Sequence, residues 1–269
     1  MNRILALIVI LLFQLPASSY GQYGPDGQVP PGGRYHLCFA TSFQTLLSSN
    51  TTVPPVPFDF GGIEAASWLT NFAAAQSGLL PDWDGATISW RAVLSDSTAN
   101  AIDHTNIVGP VYNVVGQRLA NDAVDFFDGE LFHPIGFDEF GNPIDPEQDD
   151  FWSGTAVGGV ANLNTCGNWD LQSTILNTLS GSATSLDWVF GGQTFQCDNQ
   201  SARLLAMGPA IAVPGPGDVN CDGLINLLDI GPFVQLLSDG SYDIKADMNF
   251  DGFVNLLDIG PFVEALSAN

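Results

Sequence analysis

The sequence predicts an α+β body followed by a small all-α module, and three observations lead to this fold class. Short apolar runs bounded by glycine and proline, together with one alanine-rich segment of helical periodicity, fill residues 34–206. The 29 glycines and 17 prolines of the chain favour short elements joined by many turns. The C-terminal residues 218–269 contain a direct repeat in which a loop pattern precedes a helical pattern twice.

Residues 1–21 have the pattern of a signal peptide. A short start containing Arg3 is followed by an almost unbroken apolar run over 4–15, and small residues follow that run. The run is too short for a membrane-spanning helix, and no later stretch reaches the ~18 apolar residues that one needs. We therefore expect a secreted protein, extracellular or associated with a cell surface, with no membrane insertion.

The charge balance excludes two classes of partner. The chain has 29 acidic and 6 basic residues, a formal net charge of −23. Such a surface repels phosphate backbones and anionic lipids, so we expect binding neither to nucleic acid nor to membrane surfaces. The excess favours cations and solubility in salty water. Calcium sites explain part of the acid, and adaptation to a saline medium is an alternative that the sequence leaves open.

The body is predicted from local patterns in chain order. Residues 22–33 are rich in glycine and proline and indicate a flexible lead-in, and 207–217 indicate a Pro/Gly linker. Residues 62–78 predict a helix ending at Gly78. The acidic segment 138–150, punctuated by proline and glycine, predicts an exposed loop. Apolar runs predict strands at 35–42, 90–94, 110–115, 151–155 and 186–190.

The C-terminal repeat has the spacing of a calcium loop. Residues 218–234 recur at 247–263, and the stretch 226–234 is repeated without change. Each copy reads D-x-N-x-D-G-x-[IV]-N-x-x-D, which supplies oxygen ligands at positions 1, 3, 5, 7, 9 and 12, with Gly223 or Gly252 at the sharp turn of position 6. We therefore expect two Ca²⁺ ions. The predicted ligands are Asp218, Asn220, Asp222, the Leu224 carbonyl, Asn226 and Asp229 in the first loop, and Asp247, Asn249, Asp251, the Phe253 carbonyl, Asn255 and Asp258 in the second.

Two departures distinguish these loops from an ordinary EF-hand. Position 12 is aspartate rather than the bidentate glutamate. No helical sequence directly precedes either loop, since 214–217 (PGPG) runs straight into the first. The units are therefore loop-then-helix half-motifs. The alternative, an Asx-rich turn without metal, does not explain why the glycine and the apolar residue at position 8 recur in register.

Residues 218–269 resemble a type I dockerin, in particular the dockerin repeats that end many secreted proteins of planctomycete-type bacteria. The resemblance implies two calcium ions and a cohesin-like partner on a scaffold or cell surface. It places partner contacts at loop positions 10 and 11 and along the helix that follows each loop. Positions 10 and 11 here are Leu227, Leu228, Leu256 and Leu257. Familiar dockerins often carry hydroxyl residues there. The leucines either form two equivalent binding faces or are the core between the two helices, and the sequence leaves both possibilities open.

Six short strings occur along the body: 39–42 (FATS), 61–66 (GGIEAA), 75–79 (AQSGL), 90–98 (WRAVLSDST), 151–155 (FWSGT) and 165–169 (TCGNW). In these strings and their order the body resembles bacterial extracellular domains of the endostatin-like, C-type-lectin-like fold. Four cysteines allow three full pairings, and the residues alone do not choose among them. The resemblance implies a disulfide between Cys166 and Cys197. The family's further outer pair is missing, with Ser67 at one place and Leu205 or Ala206 at the other.

The body lacks readable motifs for sugar binding through calcium or for catalysis. No Glu-Pro-Asn or Gln-Pro-Asp triplet, H-E-x-x-H spacing or G-x-S-x-G elbow is present. The acids of 138–150 are numerous enough for a glycosidase pair, but an exposed acidic loop explains them too. The sequence therefore favours a non-enzymatic binding or structural protein, with an extracellular glycan or matrix component as a possible ligand. The alternative is a polysaccharide-degrading enzyme, a glycoside hydrolase, that carries a dockerin.

Overall fold

The structure, a computed structural model, describes residues 25–47, 60–162, 164–169, 177–188, 194–197 and 201–268. The predicted signal segment 1–21 lies outside the described residues. A sheet-rich body is followed by a helical C-terminal module, as the sequence predicts at this coarse level. The finer assignment of the body to the endostatin-like, lectin-like fold stays a prediction. Among the helices in the described ranges, none combines the length and apolar character required to cross a bilayer.

Eleven strands are found in the described residues, and they form three sheets. The main sheet has the order β3-β10-β1-β4-β5, with β11 also paired to β1, while β2 pairs with β9 and β6-β7-β8 form the third sheet. The strands are β1 (Arg34–Ala40), β2 (Thr45–Leu46), β3 (Arg91–Ala92), β4 (Val111–Asn113), β5 (Arg118–Ala120), β6 (Asp150–Trp152), β7 (Asn177–Ser182), β8 (Thr194–Gln196), β9 (Ser201–Ala202), β10 (Leu205–Met207) and β11 (Ile211–Ala212).

The described helices divide between the body and the module. The first four belong to the body and the last two to the module, and a 3₁₀ turn precedes each of the last two, over Leu227–Asp229 and Leu256–Asp258. The helices are α1 (Gly62–Ser77), α2 (Ala101–Thr105), α3 (Ala123–Phe126), α4 (Cys166–Trp169), α5 (Ile230–Asp239) and α6 (Ile259–Ala268).

The central strand β1 is buried on both faces, which explains its nearly continuous apolar sequence. Leu37 and Phe39 face one hydrophobic cluster, where Phe39 contacts Trp90 with ring centroids 5.0 Å apart. Cys38 and Ala40 face the opposite cluster. β1 runs parallel to β4 and antiparallel to β10.

Helix α1 covers the sheet through its alanine-rich face and is where the sequence predicts it. Its buried side includes Ala66, Leu69 and Ala73, and it ends at Gly78, whose φ of 82° is accessible to glycine at little cost. Within the helix, the buried Asn71 side chain accepts from the Trp90 backbone N–H at 3.0 Å. This contact fixes the entry to β3 against the helix.

The second half of the body contains a disulfide and closely packed tryptophans. Cys166 and Cys197, the pair that the resemblance implies, are joined in a disulfide with Cα atoms 5.5 Å apart. Cys38 and Cys221 are free, the first buried and the second exposed. α4 is a left-handed turn, and its Trp169 packs so close to Gly154 that a Cβ there would lie 2.5 Å from the indole. Gly154, with a φ of 58°, is therefore required by both space and backbone conformation.

The prediction of an exposed acidic loop over 138–150 is correct for Asp145 and Glu147 and wrong for three other carboxylates. Asp138, Glu139 and Asp149 are only 8 %, 4 % and 8 % exposed. They surround the buried Arg203, whose guanidinium donates to the carbonyls of Gln148 and Thr41. Their burial is possible because the positive charge and nearby hydroxyl groups compensate for lost hydration.

Both segments predicted to be flexible are tied to the body where the structure describes them. In the lead-in, Val29 is buried, and the Gly32 N–H donates to the carbonyl of Val213 at 2.8 Å. In the predicted linker, Met207 belongs to β10 and Ile211 pairs with Tyr35 of β1. These pairings join residues that are 169 to 181 positions apart in the sequence, and they leave no trace in local composition.

The predicted strand at 186–190 is wrong over its described part, 186–188, which forms bends. Trp188 is fully buried there, and its indole N–H donates to the Phe126 carbonyl at 3.0 Å. Residues 189 and 190 lie outside the described residues. Burial against distant aromatic rings, rather than strand pairing, explains this apolar run.

The C-terminal module folds around a small symmetric core. The rings of Phe233 in α5 and Phe262 in α6 stack with centroids 4.0 Å apart and planes 7° from parallel. Val219 and Ala246 complete the buried set. Pro232 and Pro261 lie in the first turns of their helices, where a missing backbone N–H is tolerated.

Candidate calcium-binding module

The first loop turns two buried carboxylates toward its own backbone. Asp218, 4 % exposed, accepts from the N–H groups of Asp222 and Gly223, each at 3.1 Å. Asp229, with no exposed surface, accepts from Asn220 and Asn226, each at 2.9 Å. The first and last predicted ligand positions are thus brought together by the loop that joins them.

The second loop repeats this arrangement with nearly the same distances. Asp247 accepts from the N–H groups of Asp251 at 3.1 Å and Gly252 at 2.9 Å. Asp258 accepts from Asn249 at 3.1 Å and Asn255 at 2.8 Å. Two copies that differ in residues at the loop tips nevertheless adopt one geometry, so the shared residues determine the loop conformation.

Capping explains why positions 9 and 12 carry these residue types. The Asn226 side chain accepts from the Leu228 N–H at 2.8 Å, while Asp229 accepts from the Asn226 N–H, which forms a reciprocal capping box at the 3₁₀ turn. Asn255 and Asp258 do the same in the second copy. The predicted ligands at these positions therefore also start the helices.

The middle residues of each loop are exposed, and two of them in each copy have a left-handed backbone conformation. Asn220 donates to Asp222 at 2.9 Å, and Asn249 donates to Asp251 at 3.0 Å. Gly223 and Gly252 have φ values of 86° and 87°. A side chain there would be strained, which accounts for glycine at position 6. Position 4 is also left-handed, with φ of 63° at Cys221 and 59° at Phe250.

Electrostatics within the first loop favour a bound cation. Burial raises the pKa of Asp218, and the neighbouring charges of Asp229 and Asp222 raise it further. Hydrogen bonds from the Asn220 side chain and the Leu224 N–H lower the pKa of the exposed Asp222. The sequence from 218 to 269 contains one basic residue, Lys245, whose Nζ lies 3.3 Å from Asp243. A positive charge near Asp218 would relieve the repulsion that these groups experience.

The donor chemistry of both loops fits calcium. The available groups are carboxylate, amide and main-chain carbonyl oxygens, the hard ligands that Ca²⁺ prefers. Among the described residues, no group of three or more His, Cys, Asp or Glu side chains is arranged so that it could hold a metal ion. In each loop the buried carboxylates are satisfied by backbone N–H groups, while the carboxylate at position 5 is exposed and bonded to asparagine.

The leucines at positions 10 and 11 lie on the surface. Leu227 and Leu256 are each 78 % exposed, and Leu228 and Leu257 are each 67 % exposed. The alternative that they form the core between the helices is therefore wrong, because the stacked Phe233 and Phe262 occupy that place. The two copies expose the same apolar pair to the same extent.

The exposed apolar surface continues along each helix, where the dockerin resemblance also implies partner contacts. Ile230 and Val234 are 39 % and 54 % exposed, and their counterparts Ile259 and Val263 are 39 % and 52 % exposed. The signal was available in the repeat, since the unchanged stretch includes these residues as well as the leucines. We call the set in the first copy (Leu227, Leu228, Ile230, Val234) face A and the set in the second (Leu256, Leu257, Ile259, Val263) face B.

Residues 216–260 match the family model described as dockerin type I domain. This region is a dockerin type I domain, as the sequence predicts, and it includes both loops and the start of α6. Dockerin domains bind calcium, assemble with cohesin-type protein partners and are typical of extracellular proteins. A comparison with curated proteins found no match to the chain.

Proposed function

We propose that this protein is an exported, non-enzymatic binding or structural protein whose C-terminal module, loaded with two calcium ions, attaches it to a cohesin-like domain on a scaffold or cell surface. The observation that carries the proposal is the duplicated geometry of the module. Two loops with the same hydrogen bonds support two exposed apolar faces of the same composition.

One ion would be held in each loop. The first would use Asp218, Asn220, Asp222, Asn226 and Asp229 with the carbonyl of residue 224, and the second would use the residues 29 positions later. The ion supplies positive charge and extra ligation to a segment rich in carboxylates. The residues themselves fix the loop, because the position 1 and position 12 carboxylates already hold backbone amides from both sides of the turn.

Faces A and B are the proposed partner contacts. Large apolar side chains that are more than half exposed are unfavourable in water, and covering them is a major source of binding free energy. Because every side chain of faces A and B is apolar, these faces would recognise the partner surface through apolar contact rather than through ion pairs. The near-identity of the faces makes them alternative contacts for the same partner.

The non-enzymatic assignment rests on the state of the acidic residues in the body. Asp149 accepts from Thr184 and Ser182, while Glu139 accepts from the Ser42 hydroxyl at 2.6 Å and from its N–H at 2.7 Å. These carboxylates have structural partners, which favours a binding body that takes an extracellular glycan or matrix ligand. A glycoside hydrolase carrying a dockerin is the competing function, and Glu139, whose pKa is raised by burial, would be its first candidate acid.

The test is binding of the full-length protein to a panel of immobilised cohesin domains, with calcium and with a chelator. Leu227→Ser with Leu228→Ser removes the leucines of face A, and Leu256→Ser with Leu257→Ser removes those of face B. We expect each double variant to retain binding through the other face, and the fourfold variant to lose at least about tenfold in affinity, because hot-spot apolar residues each contribute more than about 1 kcal/mol.

Phe132→Ser is the matched control, since it removes a half-exposed apolar side chain from the body. Cohesin binding that survives the fourfold variant would overturn the role of the two faces. A parallel polysaccharide panel tests the competing function. Turnover abolished by Glu139→Gln would overturn the non-enzymatic assignment and leave the docking module in place.

A further inference from the structure

A cavity of about 220 Å³ opens on the body at one end of its main sheet. It lies between the entry to β3, the end of α2 and the turn that follows β10. This is smaller than the ~300 Å³ from which drug-sized ligand pockets begin, so it admits one small molecule or one unit of a chain. It shares no residue with the calcium loops.

The cavity contains an arginine that forms no ion pair with any acid among the described residues. Within the described part of the chain, ion pairs join Arg118 to Asp26 and Lys245 to Asp243, and none involves Arg91. Arg91 is exposed, and its guanidinium donates one hydrogen bond, to the His104 carbonyl at 3.1 Å. In a chain with 29 acidic and 6 basic residues, a cavity lined by a cation and by no acid differs from the rest of the surface.

Other polar groups in the wall are already used by the protein. His36 has both ring nitrogens engaged, with Nδ1 2.8 Å from the Gly208 carbonyl oxygen and Nε2 3.0 Å from the Val108 N–H. Burial lowers the pKa of His36, so the ring is neutral at physiological pH. The Ser89 hydroxyl donates to the Asn71 side chain at 3.1 Å. These groups shape the cavity and do not compete for a ligand.

The donors that remain are complementary to an anion. A guanidinium has five N–H groups, of which Arg91 uses one, and no hydrogen bond joins the Asn106 side chain to another described residue. Asn106 lies at the end of α2 and is exposed, with a φ of 51°. Both residues offer N–H groups, and an arginine fork matches the two oxygens of a carboxylate. Ile88, Pro209 and Ala210 supply the apolar part of the cavity wall.

We propose that this cavity binds a sugar acid, with the carboxylate held by Arg91 and Asn106 and the C–H face of the ring against Ile88 and Pro209. A hexuronic acid combines the single negative charge, the apolar ring face and the small size that the cavity requires. The inference gives the body a binding site of its own. It does not depend on calcium or on a cohesin partner, so its failure would leave the docking proposal unaffected.

The experiment is a titration of the isotope-labelled full-length protein with sodium D-glucuronate, followed by amide and side-chain NMR shifts. D-glucose is the matched probe without a carboxylate, and sodium lactate and inorganic phosphate are matched anions without a sugar ring. We expect glucuronate to shift the signals of Arg91 and Asn106 in a saturable way. Glucose, lactate and phosphate should bind at least about tenfold more weakly, because charge-assisted hydrogen bonds and the ring contact are both needed.

Variants assign the effect to the cavity. Arg91→Gln should weaken glucuronate binding about tenfold or more, and Arg91→Lys should weaken it less, since it keeps the charge but loses the fork. Asn106→Asp keeps a residue that tolerates the left-handed backbone while adding a repelling charge, and it should abolish binding. This variant preserves the test if Arg91→Gln fails to fold. Arg34→Gln removes an exposed arginine that does not line the cavity, so it should leave affinity within about twofold.

Three outcomes would overturn the inference. Glucuronate that causes no saturable shift would show that the cavity is not a binding site for sugar acids. Lactate or phosphate that binds as tightly as glucuronate would show that the cavity takes any small anion. An equal loss of glucuronate affinity in the Arg34→Gln and Arg91→Gln variants would show that the electrostatic field of the whole protein, and not the cavity, holds the ligand.

Discussion

The body and the C-terminal module are stabilised by different means. In the body, clusters of buried apolar side chains collect residues from distant parts of the chain, as where Phe151, Phe126 and Trp188 pack together. In the module, Phe233 and Phe262 stand at the centre of a buried apolar set of four, and four aspartates are buried as completely as those rings. A core this small is marginal by itself. The comparison indicates that apolar burial holds the body, while the proposed ions hold the module.

The sharpest test of this difference is to remove the ions from the module alone. We expect Asp229→Ala with Asp258→Ala to abolish calcium-dependent protection of residues 218–268, measured by amide hydrogen exchange of the full-length protein with and without chelator. An ion in thousandfold excess over its dissociation constant stabilises the state that binds it by about 4 kcal/mol, and the module contains two such loops. Amides of the body should exchange at unchanged rates.

Two further variants refine that test. Asp229→Asn with Asp258→Asn removes the negative charge and keeps one of the two side-chain oxygens that accept backbone hydrogen bonds, while the other becomes an amide nitrogen. It should lose the calcium response as well. Asp239→Ala removes an exposed carboxylate at the end of α5, outside the loops, and should keep it. A calcium response that persists in both loop variants would contradict the metal assignment.

The disulfide provides the corresponding test for the body. Cys166→Ser with Cys197→Ser should lower the free energy of unfolding of the body by about 3–4 kcal/mol, because the bond closes a loop of roughly 31 residues in the unfolded chain. All six tryptophans lie before residue 189, so urea unfolding followed by tryptophan fluorescence reports on the body. Cys221→Ser, which removes an exposed free thiol, is the control. A loss of similar size in the control would contradict the assignment.

Glycines distinguish a packed region from an open one. A Cβ at Gly181 would lie 2.1 Å from the Trp188 carbonyl oxygen, so Gly181→Ala should destabilise the body by about 1–3 kcal/mol. A Cβ at Gly260, in the first turn of α6, meets nothing within 4 Å. Gly260→Ala should stabilise the module by up to about 1 kcal/mol, because alanine restricts the unfolded chain and favours the helix. Thermal unfolding of each variant measures both, and effects of equal sign would refute the comparison.

The smallest effect concerns the acid sensitivity of the body. Burial, with the charge of Arg91, lowers the pKa of His104 from 6.5 to about 4, so the folded ring stays neutral where the unfolded ring takes up a proton. Protonation of His104 therefore favours the unfolded state. Its contribution to the free energy of unfolding is fully present above pH 6.5 and is lost as the pH falls from 6.5 to about 4. After allowance for screening of a partly exposed ring, the loss is about 2 kcal/mol.

The measurement is the free energy of unfolding against pH for the wild type and for His104→Gln, which can keep a hydrogen bond to Ser67. The variant should lack the part of the slope between pH 6.5 and 4 that the histidine contributes. The difference between the two curves isolates this group from Glu139, whose pKa burial raises and whose contribution to stability therefore has the opposite sign. Parallel curves would contradict the prediction.

The parts that the sequence predicts well are those in which neighbours in the chain also determine the structure. Helix α1 follows from its periodicity and from Gly78, and the two loops follow from a spacing that places Asp218 next to the N–H of residue 223. The 29-residue offset then predicts the second loop from the first. In these segments the hydrogen-bond partners lie within about one turn, so the pattern contains the whole interaction.

The parts that the sequence does not predict depend on partners far away in the chain. Glu139 is buried because Ser42, 97 residues earlier, donates two hydrogen bonds to it. Arg203 donates to Thr41, 162 residues away, and makes the neighbouring acids compatible with burial. Composition alone assigns such residues to the surface, because it does not include the distant group that compensates for the lost water.

The pairing between the two ends of the body has a mechanical consequence. β11 pairs with the first residues of β1. Val213, directly after β11, forms backbone hydrogen bonds with Gly32 and Gly33 where the chain leaves the body. Tension applied through the module reaches this antiparallel pair at its open end. The hydrogen bonds are therefore loaded one after another, as in the opening of a zipper, rather than all at once in shear. Under load, β11 and the segment after it would peel away first and lengthen the tether, while α1 and the disulfide-linked part of the body stay folded.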